Sequence, residues 1–241
     1  MSPALGTPRL HLRRTDSTNE RAIVLALQGA PHGTLVTAAE QTAGRGRQGR
    51  HWTAPPGRAL LASIIVRDPP ELVPLIAAVA VAEAIEETTA STGVVAIKWP
   101  NDIHLAGRKV AGILVEGRPQ ERWAVVGIGV NVALTAEDLP PELRDTAGTL
   151  GLEPDSIEPL LDRLLADLAW WLAAPADEVL LTWRRRDALL GQEVEWDGGR
   201  GRASGIDGDG RLVIELDGGR GRVELEAGEV HLAPRGPAGG S

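Results

Sequence analysis

Gln41-Thr42-Ala43-Gly44-Arg45-Gly46-Arg47-Gln48-Gly49-Arg50-His51-Trp52 interleaves three glycines with three arginines and closes on a tryptophan. Glycine lets the backbone approach a ligand and take φ > 0. Arginine offers planar, multidentate donors suited to phosphate and carboxylate. Tryptophan offers a flat face to a base or a cation. The combination fits a mobile anion-binding loop over a nucleotide. Gly-Arg tracts also serve as linkers or RNA-binding tails, and Gly-Arg-Gly-Arg recurs at 199–202 and 219–222. The tetrapeptide alone therefore decides nothing; its flanks do. Residues 34–39 (TLVTAA) read as a strand, and 59–67 (ALLASIIVR) as a longer, apolar one. A long connection between two buried strands of a compact domain is usually functional or disordered, and this context favours function for this Gly-Arg run over the other two.

Working outward, residues 8–13 (PRLHLR) alternate like a short strand, and Ser17 with Glu20 fits a capping box opening a helix to about Gln28. After the second strand, Pro69-Pro70-Glu71 opens a helix whose apolar residues from Val73 to Ile85 keep a helical period. Residues 94–99 (VVAIKW) form a strand, Pro100-Asn101-Asp102 bends it, and 103–105 continue. Residues 109–116 (KVAGILVE) and 123–132 (WAVVGIGVNV) read as two adjacent central strands. Their glycines, at 112, 127 and 129, suit close approach to a ligand or simple packing. Residues 133–155 are polar and Pro-rich, an irregular connection. Helices follow at about 161–172 and 176–190, the second stopping at Gly191, with Trp170 and Trp171 as packing residues. Residues 192–233 change to short alternating runs between Asp-Gly turns, an all-β barrel pattern in which the later Gly-Arg tracts are hairpin turns. The expected division is 1–190, 191–235 and a disordered tail at 236–241. The fold class is α+β: a mixed sheet with flanking helices plus the small barrel.

The chain has 241 residues and a formal net charge of -8, so it is no general nucleic-acid binder, and any anion site is a local concentration of cations. It has no cysteine, which excludes disulfides and thiolate chemistry. The apolar runs are too short for a membrane span, and the reading is a soluble, cytoplasmic protein. Lysine occurs only at 98 and 109 and asparagine only at 19, 101 and 131, and four of these five positions fall within 98–131. Against so strong an arginine bias, such survivors mark positions where exchange is chemically costly.

The residues that could carry chemistry are the arginine loop, Lys98 to Asp102, Lys109, Gly112 and Gly127 to Asn131. No His/Asp/Glu spacing resembles a metal site, and Ser17 has no evident base. Cations, glycines, amides and one or two carboxylates suit catalysis by positioning and charge neutralisation. A carboxylate attacking the α-phosphate of ATP, with Mg²⁺ screening the polyphosphate, fits that inventory.

The same residues resemble the biotin protein ligases. The matching motifs are Ser17-Thr18-Asn19, the stretch from Gln41 to Trp52, Lys98-Trp99-Pro100-Asn101-Asp102, Arg108 to Glu116, and Gly127-Ile128-Gly129-Val130-Asn131. They match in order over about residues 10–132, and the β-rich end resembles the family's SH3-like domain. No winged-helix segment precedes Pro8, so the resemblance is to the short ligases without DNA binding. Gln48 departs from the family, where relatives often carry a further arginine.

The resemblance implies a class II synthetase-like catalytic domain. It also implies a two-step reaction: biotin and ATP give biotinyl-5′-AMP and pyrophosphate, and a lysine of a biotin carboxyl carrier protein then takes the biotin. Ser17, Thr18, Asn19, Gln41, Gly44, Arg45, Lys109 and Gly112 would surround biotin. Arg45, Arg47, Arg50, Trp52, Lys98, Asn101, Lys109 and Asn131 would hold the nucleotide. Lys109, Arg47 and Asp102 would act in catalysis, with Asp102 assisting Mg²⁺ or deprotonating the incoming lysine. A monomer or weak homodimer is expected, with no nucleic-acid or membrane partner. Lipoate protein ligase, a Gly-Arg nucleic-acid-binding module and a biotin-responsive corepressor are the alternatives.

Overall fold

The computed structural model describes residues 5–91, 93–216, 221–226, 228 and 230–233. In chain order its elements begin with β1 (Arg9–Leu12), α1 (Thr18–Leu27), β2 (Leu35–Ala38), β3 (Gly44–Arg45), β4 (His51–Trp52) and β5 (Ala59–Arg67). Next come α2 (Val73–Thr89), β6 (Val95–Lys98), β7 (Asp102–Leu105), β8 (Arg108–Arg118) and β9 (Trp123–Asn131). The last are α3 (Ile157–Trp171), α4 (Ala176–Arg184), β10 (Glu193–Trp196), β11 (Gly199–Ile206), β12 (Leu212–Leu216), β13 (Arg222–Leu225) and β14 (His231–Leu232). A seven-stranded sheet runs β1-β2-β5-β9-β8-β7-β6, and a five-stranded antiparallel sheet runs β13-β12-β11-β10-β14. Only β1 and β2 pair in parallel, so the large sheet is mixed, and β8 and β9 are neighbours as predicted.

The two faces of the large sheet differ, and side-chain alternation decides how. On β5, Leu60, Ala62, Ile64 and Val66 join the main core, as do Val126, Ile128 and Val130 on β9. This face lies under α2 and α3. Helix α2 is buried almost all round, and its alanines at 77, 78, 80, 82 and 84 let it fit closely between the sheet, α3 and α4. The opposite face carries Leu61, Ser63 and Ile65 of β5 and Val125, Gly127, Gly129 and Asn131 of β9. Helix α1 covers only one end of it, with Ala22 and Ala26 against Val36, Ile65, Trp123 and Val125. The rest of that face is left to the site.

A β-bulge determines what β8 contributes there. Ile103 pairs with Ala111, but the next residue, His104, pairs with Lys109, leaving Val110 as the extra residue. One inserted residue reverses the parity of everything beyond it. Val110 and Ala111 are both buried in the main core, and Lys109 turns to the face that carries Gly112.

Several expectations change. Ser17 is the N-cap of α1 but makes no side-chain cap. The Thr18 N–H donates instead to Gln41 Oε1 at 2.7 Å, so the cap comes from the arginine stretch itself. That stretch is a two-stranded hairpin, β3 against β4, with a 3-10 turn over Arg47–Gly49. Helix α4 ends at Arg184, because the following segment pairs along β6: Ile97 N–H donates to Arg186 O and Ala188 N–H to Ile97 O. Trp171 is buried and donates to Glu83, but Trp170 is 58% exposed. The Gly-Arg tract at 199–202 is strand, not turn: it opens β11, with Arg200 and Arg202 near Glu193 across the pair. The tract at 219–222 lies partly, and the tail at 236–241 wholly, outside the described residues.

The β-rich end forms five strands, β10 to β14, where alternating runs were expected. Its Val194, Ala203, Ile206, Leu212, Ile214 and Val230 belong to the same core as α2 and β5, and Trp99 Nε1 donates to Gly210 O across the junction. Among the described residues, no helix is long and apolar enough to cross a membrane.

Candidate active site

The strand register sets a single row of residues across five strands: Leu61, Gly129, Gly112, Asp102 and Lys98, on β5, β9, β8, β7 and β6. The two glycines make a floor of bare backbone. Trp52 of the hairpin lies on it: a Cβ at Gly129 would come within 2.6 Å of Trp52 Cε2, and one at Gly112 within 3.1 Å of Cζ3. At the end of the floor, Lys109 Nζ sits 2.6 Å from Asp102 Oδ1 and 5.9 Å from the centre of the Trp52 ring. The ammonium is held by a carboxylate on one side and an aromatic face on the other.

A cavity of about 430 Å³ opens over this floor. Of the predicted site residues, Ser17, Thr18, Asn19, Gln41, Arg45, Arg47, Arg50, Trp52, Lys98, Asn101, Asp102, Lys109, Gly112 and Asn131 all line it. Gly44 does not; it lies where a Cβ would overlap the Trp52 carbonyl, so its hydrogen keeps the hairpin closed. The three asparagines are engaged within the protein. Asn101 Nδ2 donates to Ile113 O at 2.6 Å, holding the Pro100 bend to β8. Asn131 Nδ2 donates to Gly148 O at 2.9 Å, holding the irregular connection against β9. Asn19 Nδ2 donates to Glu116 Oε2 and Leu114 O, and its Oδ1 lies 2.6 Å from Ser63 Oγ.

Several contributors were not singled out from the sequence. Glu116 Oε1 pairs with Arg45 Nη2 at 2.7 Å, with Glu20 a further 3.6 Å contact of the same guanidinium. Ser63 touches both Thr18 and Asn19 from β5, and it is the one hydroxyl in an otherwise apolar run, the signal that could have found it. His104 lines the cavity, and its ring Nδ1 lies 3.2 Å from Gly107 O. Burial pushes its imidazole below the ordinary value, Lys98 and Lys109 add to this, and the Gly107 carbonyl and Asp102 oppose it. His104 Nε2 and Trp52 Nε1 are buried without a hydrogen-bond partner among the described residues. Val230 and His231 extend the cavity wall from the β-rich end.

A glycine floor, a basic hairpin above it and a lysine at its end can hold an extended ligand with an anionic centre near Lys109. Residues 11–132, which contain every predicted site residue, match the Biotin/lipoate A/B protein ligase family. The chain belongs to that family. Among relatives, it is 35% identical over 227 residues to a biotin–[acetyl-CoA-carboxylase] ligase of Paracoccus denitrificans, covering 84% of this chain and 92% of that one. It is 45% identical over 144 residues to a bifunctional ligase/repressor of Bacillus spizizenii, covering 56% of this chain but only 43% of that protein. The chain thus spans less than half of that relative. The solved structure of a biotin protein ligase from Aquifex aeolicus, in complex with biotin and ATP, superposes with a TM-score of 0.77 at 29% identity, covering 94% of this chain and 99% of that one. The family's shared sheet accounts for the floor; the β-rich end falls within the match to the whole ligase structure.

Proposed function

We propose that the protein is an ATP-dependent biotin–protein ligase. It joins the carboxylate of biotin to the α-phosphate of ATP, releases pyrophosphate, and passes biotin from biotinyl-5′-AMP to a lysine of a biotin carboxyl carrier domain. The observation that carries this reading is the placement of Lys109, fixed by Asp102 and Trp52 at the end of the glycine floor. Two unit anions about 4 Å apart repel by roughly 4 kcal/mol at an effective dielectric of about 20. An ammonium fixed between them offsets that repulsion and gains as charge builds in the transition state.

The other groups take roles from their positions. Ser17 and Thr18, at the start of α1, and Gln41, which caps it, receive the polar ring of biotin, and Gly112 and Gly129 let the ligand lie on the strands. Arg47 and Arg50 face the polyphosphate, whose Mg²⁺ enters as part of the nucleotide substrate. Trp52 covers the adenylate. In the second step the lysine nitrogen attacks the acyl carbon, the carbon–oxygen bond to phosphate breaks, and AMP leaves with that electron pair. The β-rich end, from about residue 191, acts as a second module closing the cavity wall.

The test is mass analysis of a carrier domain incubated with the protein, biotin, ATP and Mg²⁺. Addition of one biotin, together with biotin-dependent pyrophosphate exchange, is the expected result. Exchange driven by lipoate instead would overturn the assignment.

A further inference from the structure

We infer that Ser63 is a positioning residue for biotin, joining two arms of the site through one buried hydroxyl. The inference rests on the ligase reading for its ligand and on the geometry for its mechanism. One arm is Gln41: its Oε1 takes the Thr18 N–H at 2.7 Å and lies 3.0 Å from Thr18 Oγ1. The other is Arg45, held by Glu116, which is itself held by Asn19 Nδ2 at 3.0 Å. Ser63 Oγ stands between them, 2.8 Å from Thr18 Oγ1 and 2.6 Å from Asn19 Oδ1. The resulting chain runs Gln41, Thr18, Ser63, Asn19, Glu116, Arg45. It ties both ends of the 41–45 segment to the sheet through the almost wholly buried Thr18, Ser63 and Asn19 and the partly exposed Glu116.

The backbone is shaped for this contact. Ser63 pairs in register with Gly127 of β9, and Asn19 occupies the space above Gly127, where any Cβ would overlap its amide. Hydrogens are limiting: two hydroxyls serve three oxygen–oxygen contacts. The Thr18 N–H already serves Gln41 Oε1, so the Thr18 hydroxyl donates to Ser63 Oγ, and Ser63 donates to Asn19 Oδ1, which is an acceptor only. Removing the Ser63 hydroxyl leaves that oxygen buried without its donor and frees Thr18 from the sheet. No apolar replacement on β5 restores the tie, although strand and core remain intact.

The test uses the whole chain with Ser63→Ala and Ser63→Cys. In biotin-dependent pyrophosphate exchange, S63A is expected to raise the KM for biotin about tenfold, the size of one buried hydrogen bond. KM for ATP and kcat stay within about twofold, since Arg47, Arg50 and Lys109 lie outside the relay. S63C, a weak donor of similar size, recovers part of the loss. In the ligand-free protein, hydrogen exchange at the Thr18 amide rises in S63A, because its Gln41 partner is no longer braced. A wild-type KM for biotin in S63A, equal rises in both KM values, or unchanged Thr18 exchange would each overturn the inference. If wild-type protein shows no biotin-dependent exchange, the ligase reading fails, and the amide measurement still decides the relay.

Discussion

Lys109 Nζ lies 2.6 Å from Asp102 Oδ1, a contact that exists because Val110 is bulged out of the β7–β8 register. Were the strand regular with Val110 still in it, Lys109, two residues before Ala111, would share the core face of Ala111 and Ile113, under α2. The placement of this cation thus depends on a backbone irregularity whose own side chain does no chemistry. Bulges beside functional sites commonly re-aim a side chain in this way.

Lys109→Ala is expected to lower biotin-dependent pyrophosphate exchange about 10²- to 10³-fold, the usual loss when a preorganised group facing developing charge is removed. The side chain is partly exposed, so the melting temperature changes little. Normal exchange in a folded K109A protein would remove Lys109 from the mechanism.

Truncating and deleting Val110 should both leave Lys109 on the site face. Val110→Ala keeps the bulge and loses buried methyl groups, roughly 1–3 kcal/mol of stability, with activity retained. Deletion restores a regular register in which Lys109 directly precedes Ala111 and stays on the site face opposite His104, so exchange persists while the whole buried side chain is lost. Exchange assays and urea unfolding on both variants make the comparison. Loss of exchange in a folded deletion variant would show that the bulge itself, and not the alternation of the strand, places Lys109.

Trypsin tests the hairpin as a cover. Arg45, Arg47 and Arg50 lie in or beside it, and the exposed Arg13 and Arg14 serve as an internal reference. Gln48 holds a left-handed φ of 53°, uncommon for a side-chain residue, at the turn that such a cover would bend. Biotin plus ATP is expected to slow cleavage at 45–50 while cleavage at 13–14 continues. Equal rates at both sites with ligands present would mean the hairpin does not close on them.

Much of this was legible in the sequence, because the signals were local. The strands at 59–67 and 123–132 are continuous apolar runs, and the five motifs carry rare residue types in fixed order. The lysines and asparagines that stand out against the arginine bias all line one cavity. What was not legible depends on partners far apart in the chain. Glu20 met the capping-box spacing, yet the cap came from Gln41, 23 residues after Thr18. Ser63 and Glu116 gain their meaning only once β5, β8 and α1 are stacked. The bulge at Val110 leaves no mark in an apolar alternation. The tract at 199–202 has the composition of a turn, but its glycines sit in a strand beside a glutamate-bearing partner.

Asp187 supplies a prediction about stability and pH. It sits in the segment that pairs along β6, its Oδ1 accepts the Leu189 N–H at 2.8 Å, and its Oδ2 is buried without a hydrogen-bond partner among the described residues. Burial raises its pKa, opposed by the Leu189 and Leu190 amides. The sign follows directly. The unfolded chain loses this proton near the ordinary value of 3.8, whereas the folded protein keeps it to higher pH. Between those two points the folded state binds the extra proton, so this group's contribution to stability falls as pH rises, and the cost is complete above the folded value. Asp187→Asn keeps an oxygen for Leu189 and removes the charge. In urea unfolding between about pH 4 and about pH 8, D187N should gain stability relative to wild type as pH rises, and the gap should close toward the acid end. A gap independent of pH would mean that Asp187 ionises alike in both states, and that its buried oxygen is solvated in a way the fold does not display.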